Sequence, residues 1–290
     1  MALPLVGPDL ELLRAAVGEG VLAWQPLDTG GYTRSQAWRV ETQDGPLCVK
    51  QADDEGSLHM LRRESAVYGS VAGSFLPDFV GFADSDDQGL LAIELLEDAS
   101  WPPPYPDDVG PLFEALELVA AAPPPPELPA CGPWRSRWER VADDPQPFLH
   151  LGLRSREWLE INIDTLIGAE ARAVFEGDEL VHNDVYSGNV GFTSRGAVLV
   201  DWGAAMRGSR WIDLAFALLS VRAEGARVPR VDFPLEAHFA AALAGHLAAE
   251  APAPLPAWAE PGSTLRQDMA SDLAHALDWV GELLDLPRLP

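Results

Sequence analysis

Leu180 to Ala205 reads LVHNDVYSGNVGFTSRGAVLVDWGAA and sets His182, Asp184, Asn189 and Asp201 around a short strand, a turn and another strand. The apolar run Ala197 to Val200 has the pattern of a buried strand, and Arg195-Gly196 before it supplies the turn. Asn189 and Asp201 therefore fall near opposite ends of a small hairpin, a geometry that aims both side chains at one ion. Asp184 projects from the loop that precedes it.

Upstream, Val21 to Gln25 and Ala37 to Val40 read as strands flanking a loop that contains Gly30-Gly31. A third strand, Pro46 to Gln51, follows the hairpin signal Asp44-Gly45. Glycines in such a loop let backbone N–H groups approach phosphate oxygens closely, although Gly30-Gly31 by itself signals no more than a turn. Lys50 is more informative, because it is the only lysine in the chain. Strand alternation puts Leu47 and Val49 on one face and Cys48 and Lys50 on the other, beneath the glycine loop. Ser57 to Val71 reads as a helix with Leu58, Leu61, Ser65 and Tyr68 in one stripe. Glu64 beside that stripe is placed to reach Lys50 in a charge-assisted pair. Phe79 to Ala83 and Leu90 to Leu95 complete five antiparallel strands. The prolines from Pro102 onward cannot continue a central strand, so a lobe boundary is expected after residue 96, dividing the chain into 1–96 and 97–290. Glu94 to Leu96, at the exit of the fifth strand, would offer backbone groups and apolar side chains to a flat heterocycle.

Downstream, helical spacing marks Val109 to Ala121, Trp134 to Val141, Arg156 to Glu176, Trp211 to Ala223, Leu235 to Glu250 and Thr264 to Leu284. The whole is an α+β chain, a small sheet followed by a larger helical part. With 290 residues, 47% of them hydrophobic, there is ample material for two lobes. Neither a secretory signal nor a membrane-length apolar run is evident, so the cytoplasm is the expected compartment and no membrane partner is expected. Cys48 and Cys131 are expected to be buried free thiols. The formal charge of −25 argues against nucleic acid, whose binding rests on Lys and Arg. It equally suits a cationic ligand or simple solubility.

In order, then, the chain presents a glycine loop, a strand lysine, a helix glutamate, His182-x-Asp184-x-x-x-x-Asn189 and Asp201. That order resembles the protein-kinase signature, with HND for HRD and DWG for DFG. The short link from Asn189 to Asp201 and the block Gly208-Ser209-Arg210-Trp211-Ile212-Asp213-Leu214-Ala215 resemble the aminoglycoside phosphotransferase and choline kinase-like family more closely. Leu180 to about Val221 matches that family's motifs well, whereas the N-terminal part matches by element order.

The resemblance implies a bilobal kinase-like fold and a small-molecule phosphotransferase that uses ATP or GTP with Mg²⁺. By its pattern Asp184 would take the acceptor's proton, and Asn189 and Asp201 would ligate Mg²⁺. Lys50, Glu64, Gly30, Gly31, Glu94 and Leu96 would hold the nucleotide, and His182 and Asp213 would brace the loop. A monomer or weak dimer is expected, partnered by the nucleotide and a small hydroxylated substrate.

Three departures from the pattern stand out. Asn183 replaces the usual glycine, Tyr186 stands where protein kinases carry a lysine, and the glycine loop is incomplete. A nucleotide-binding pseudoenzyme on the same fold therefore stays open as an alternative, while the absence of a long loop between Asp201 and Asp213 speaks against a peptide kinase. Asp107, Asp108, Asp143, Asp144, Glu157, Glu160 and Asp164 are candidates for an acidic acceptor site or for a solvated face.

Overall fold

A computed structural model describes residues 7–28, 30–132 and 136–287. Alternating apolar residues build the N-terminal sheet from β1 (Val21–Pro26), β2 (Gln36–Thr42), β3 (Gly45–Ala52), β4 (Phe79–Asp84) and β5 (Gly89–Glu94), in the order β1-β2-β3-β5-β4 and antiparallel throughout. Thr42 pairs directly with Gly45, so the turn residues are Gln43 and Asp44, and Gly45 takes a φ of 126° where a side chain would be strained. One face of the sheet packs Trp38, Val40, Val49, Leu90 and Ala92 against Leu13 of helix α1 (Leu10–Val17). The Asp9 carboxylate caps α1 by accepting from the Glu11 and Leu12 N–H groups.

Helix α2 (Glu55–Ser70) covers the other face, its N-terminus capped by Asp54. Its buried stripe is Ser57, Leu58, Leu61, Glu64, Val67 and Tyr68, the set that 3.6 residues per turn aligns. This corrects the expected stripe, since Glu64 lies in it and Ser65 lies off it, turning its hydroxyl back to the Arg62 carbonyl.

The C-terminal part contains α3 (Gly110–Ala121), α4 (Arg137–Asp143), α5 (Gln146–His150), α6 (Arg156–Glu170), β6 (Glu179–Val181), β7 (Val190–Thr193), β8 (Gly196–Leu199), β9 (Met206–Gly208), α7 (Trp211–Ala223), α8 (Glu236–Glu250) and α9 (Leu265–Leu283). Most sequence-derived boundaries hold to within two residues. Trp134, the expected first residue of α4, lies outside the described residues. Helix α6 ends at Glu170 rather than 176: that carboxylate turns inward to accept the Arg137 and Trp138 N–H groups at the start of α4. Phe175 leaves the helical path to pack on Phe239, with ring centroids 5.0 Å apart. The short helix α5 was not legible in the pattern.

Trp138, Trp158 and Trp279 are all buried in the largest core cluster, among α4 to α9. No described helix is long and apolar enough to cross a membrane. The β7–β8 hairpin is stitched to the segment after β5 through reciprocal backbone bonds between Ser100 and Phe192 of 2.8 and 2.9 Å. That stitch fixes the hairpin relative to the sheet, and a cleft of about 1400 Å³ runs between them.

Candidate active site

The loop after β6 is held from below by the start of α7. Buried Asp213 accepts the backbone N–H groups of His182 at 2.8 Å and Asn183 at 2.7 Å. Burial raises its pKa to about 7, against the pull of those two donors. The His182 ring lies 4.5 Å from Trp202, and its Nε2 is 2.9 Å from the Val200 carbonyl oxygen. Burial pushes the imidazole pKa down to about 4, so near pH 7 it is a neutral brace donating Nε2–H to that carbonyl. Two residues of the site adopt left-handed backbone, Asn183 at φ 64° and Asp201 at φ 65°. Asn and Asp tolerate this region better than other non-glycine residues, which explains how Asn183 can stand at a position where the family pattern carries glycine.

Asp184 projects into the cleft from this loop. The Asn189 side-chain N–H₂ donates both to its carboxylate at 3.0 Å and to its backbone carbonyl at 2.9 Å. The Asp184 pKa rises to about 7, first through desolvation and next through the Asp201 charge, against the hydrogen bond from Asn189. A carboxyl poised near neutrality is suited to accepting a proton.

Lys50 and Glu64 meet as the sequence suggested, with Nζ 2.8 Å from Oε1, and Lys50 Nζ also lies 3.5 Å from Asp201 Oδ1. Desolvation works against the ammonium charge, but Asp201 and Glu64 outweigh it and hold the lysine above its ordinary pKa. The Tyr68 hydroxyl donates to the same Glu64 oxygen at 3.1 Å. A Cβ on Gly203 would come within 2.9 Å of the Met60 Cβ, so the DWG turn lies directly against α2. The structure thus gathers Lys50, Glu64, Asp184, Asn189 and Asp201 along one cleft, with Gly30, Gly31, Glu94 and Leu96 also in its lining. The Glu94 carboxylate is paired with Arg195 at 2.6 Å. Among the described residues no group of three or more His, Cys, Asp or Glu side chains converges as a metal site.

Several lining residues went unread in the sequence. Glu224 at the end of α7, Glu250 on α8, and Asp268 and Asp272 on α9 line the cleft together with Tyr32 and His275, and Tyr186, noted in the sequence only as a departure from the kinase pattern, lines it too. The seven acids singled out beforehand are instead all exposed, and none lines it. The i, i+4 spacing of Asp268 and Asp272 puts both on one face of α9 but carries no signal of what that face meets. Burial raises the Asp272 pKa to about 6, opposed by His275 and aided by Asp268. The glycine loop is clasped to this wall: the Tyr32 hydroxyl donates to Asp268 at 2.8 Å, and the Glu260 N–H donates to the Tyr32 carbonyl at 2.8 Å. Cys48 and Cys131 are free but half-buried rather than buried, because both face the cleft.

A family model described as the phosphotransferase enzyme family matches residues 24–247. No curated protein matches the sequence significantly. Among solved structures, spectinomycin phosphotransferase APH(9)-Ia, in complex with ADP and spectinomycin, is similar with a TM-score of 0.62 at 13% identity, over 96% of this chain and 98% of that one. A thermostable mutant of aminoglycoside phosphotransferase APH(4)-Ia, in a ternary complex with ADP and hygromycin B, gives 0.54 at 14% identity over 96% and 98%. A choline/ethanolamine kinase family protein from Mesorhizobium loti gives 0.58 at 13% identity over 93% of both chains. These likenesses establish a kinase-like α+β fold. With the family model covering most of the sequence, the chain belongs to the phosphotransferase enzyme family.

Proposed function

We propose that this protein transfers the γ-phosphoryl group of ATP or GTP to a hydroxyl of a small, cationic acceptor. The observation that carries the reading is the meeting of the paired Lys50 and Glu64 with Asp201, in the cleft that Asp184 and Asn189 also line. Residues 1–96 serve as the nucleotide lobe and 97–290 as the acceptor lobe. The Gly30-Gly31 loop covers the phosphates, Glu94 and Leu96 border the base, and Lys50 meets the phosphate oxygens.

The residues present fit Mg²⁺. That ion is bound in nucleotide sites by one or two protein oxygens plus phosphates and water. Asp201 offers a carboxylate left half exposed, and Asn189, whose N–H₂ is taken up by Asp184, offers its amide oxygen. When bound there, Mg²⁺ neutralises charge on the phosphates.

Asp184 orients the acceptor hydroxyl. As the acceptor oxygen bonds to the γ-phosphorus, the bond from that phosphorus to the bridging oxygen breaks, and the hydroxyl proton passes to the Asp184 carboxylate. Asp213 and His182 hold the loop so that this carboxylate needs no reorganisation, and positioning with charge neutralisation supplies the catalysis. Asp268, Asp272 and Glu224 favour a cation on the acceptor. The cytoplasm is the expected setting, where the nucleotide is plentiful.

The test is nucleotide turnover with Mg²⁺ and ATP or GTP against a panel of amino sugars, amino alcohols and neutral polyols. Transfer to cationic members that vanishes in Asp184→Ala supports the reading. Nucleotide binding without transfer to any acceptor would favour a pseudoenzyme.

A further inference from the structure

The segment that leaves β5 crosses from the sheet to the hairpin and carries a large apolar side chain that the core does not take up. Trp101 is 41% exposed and lines the cleft. Its place is set by Gly191 on β7. A Cβ there would lie 3.2 Å from Trp101 Cη2 and 3.2 Å from the Ala99 Cβ, tighter than ordinary van der Waals contact. The six-membered ring of the indole therefore takes the space that a side chain at 191 would need. Reciprocal backbone bonds between Ser100 and Phe192, each adjacent to one of the pair, hold this arrangement in register.

Short runs of chain connect this point to the ionic centre. On the hairpin side Gly191 stands two residues after Asn189, and on the sheet side Cys48 stands two residues before Lys50. Each run spans about 7 Å of strand, the order of separation that a ribose puts between a base and its phosphates. Alternation keeps Cys48 on the Lys50 face. Cys48 pairs across β3 and β5 with Ile93, and both line the cleft. The sheet wall is thus apolar here, and the hairpin wall is aromatic. The one carboxylate at the strand exit is already committed, since Glu94 pairs with Arg195 at 2.6 Å and accepts the Asp78 N–H at 3.0 Å. Two apolar walls without a free charge between them suit a flat ring, and an indole recognises its π-face whatever the ring's substituents.

We propose that Trp101 is the stacking platform for the base of the nucleotide, lying against one face of the ring while Cys48 and Ile93 cover the other. This deepens the phosphotransferase reading and rests on it for the identity of the ligand as a nucleotide. Trp101 favours a purine, whose two fused rings overlap the indole more fully than a pyrimidine does. Stacking alone does not separate adenine from guanine.

The experiment titrates the full chain with Mg²⁺ by calorimetry, against AMP-PNP and against inorganic tripolyphosphate, which offers phosphates without a base. Wild type is expected to bind both. Trp101→Ala is expected to weaken AMP-PNP about tenfold, within the roughly 5–150-fold that base–aromatic stacking is worth, and to leave tripolyphosphate within about twofold. Trp101→Phe is expected to lose less. Because the indole is exposed, its removal leaves the core intact.

A second substitution separates a platform from a brace. In Trp101→Ala/Gly191→Leu the leucine refills the space that the indole held, so the double variant is expected to bind AMP-PNP more tightly than Trp101→Ala alone. Relief of a clash cannot explain a gain over that variant, which contains no clash. Unchanged AMP-PNP affinity in Trp101→Ala, an equal loss for tripolyphosphate, or a double variant no tighter than Trp101→Ala overturns the platform. Failure of wild type to bind either titrant would instead strike the phosphotransferase reading, and the platform with it.

Discussion

Replacing Lys50 by Met should cost more stability than replacing Glu64 by Gln, although the two residues are partners in one ion pair. In Lys50→Met the Glu64 side chain, 3% exposed, keeps its charge with no cation near it. Only the Tyr68 hydroxyl at 3.1 Å remains as a donor. Breaking a buried pair in this way costs about 3–5 kcal/mol, or roughly 5–15 °C in thermal midpoint for a chain of this size. Asp201 also loses a neighbour, but its side chain is 44% exposed and water takes over. In Glu64→Gln the ammonium keeps Asp201 at 3.5 Å, and the amide still accepts from Tyr68, so the loss is one charge-assisted bond, about 1.5–3 kcal/mol. The double variant K50M/E64Q removes the stranded carboxylate and should be more stable than K50M alone by about 2 kcal/mol, so that its loss falls well short of the two single losses added, a non-additivity that a double-mutant cycle isolates. Burial already raises the Glu64 pKa. A folded state that holds the proton more tightly than the unfolded one gains stability as pH falls, so the K50M deficit should narrow from pH 7 to pH 5. Chemical denaturation of the four proteins at both pH values is the assay. A deficit for K50M smaller than for E64Q, or a double variant worse than the two single losses added, would refute the reasoning.

At Asn183, φ 64° with a backbone N–H fixed to Asp213 predicts that Asn183→Gly folds as stably as wild type, while Asn183→Ala loses about 1 kcal/mol in urea unfolding; an Ala variant at least as stable as the Gly variant would contradict this. His182, held to about 4 against an unfolded value near 6.5, makes stability fall as pH drops through that window. The loss amounts to about 2 kcal/mol by pH 5. His182→Gln should show a correspondingly flatter stability profile between pH 6.5 and 5, whereas parallel profiles would count against a neutral buried ring. Tyr32→Phe removes the side-chain half of the clasp, the bond to Asp268, and leaves the backbone bond from Glu260 in place. Hydrogen exchange around Gly31 should then accelerate, and an unchanged rate would show that the bond to Asp268 does not hold the loop.

The site was more legible in the sequence than the surface that faces it. Asp184, Asn189 and Asp201 lie within eighteen residues, and Lys50 announced itself by being the only lysine. Their spacing is imposed by one loop and one hairpin, so local pattern was enough. Glu64 was located but misplaced relative to its stripe, because a buried carboxylate looks polar until its partner on another strand is known. The acidic wall is different in kind. Asp268 and Asp272 reach the cleft only because α9 packs on α8 and the loop after α8 clasps Tyr32. No local pattern encodes that contact, and the exposed acids of α4 and α6 carried equal weight in the sequence.

The central claim is that Asp184 acts on the acceptor's proton while the nucleotide is held by other residues. Its most direct test is Asp184→Asn, assayed for phosphoryl transfer to the best acceptor and, separately, for binding of AMP-PNP with Mg²⁺. The account predicts that kcat falls by about 10²–10⁴-fold while the nucleotide Kd changes by less than a few-fold. Transfer at near wild-type kcat in Asp184→Asn would contradict it.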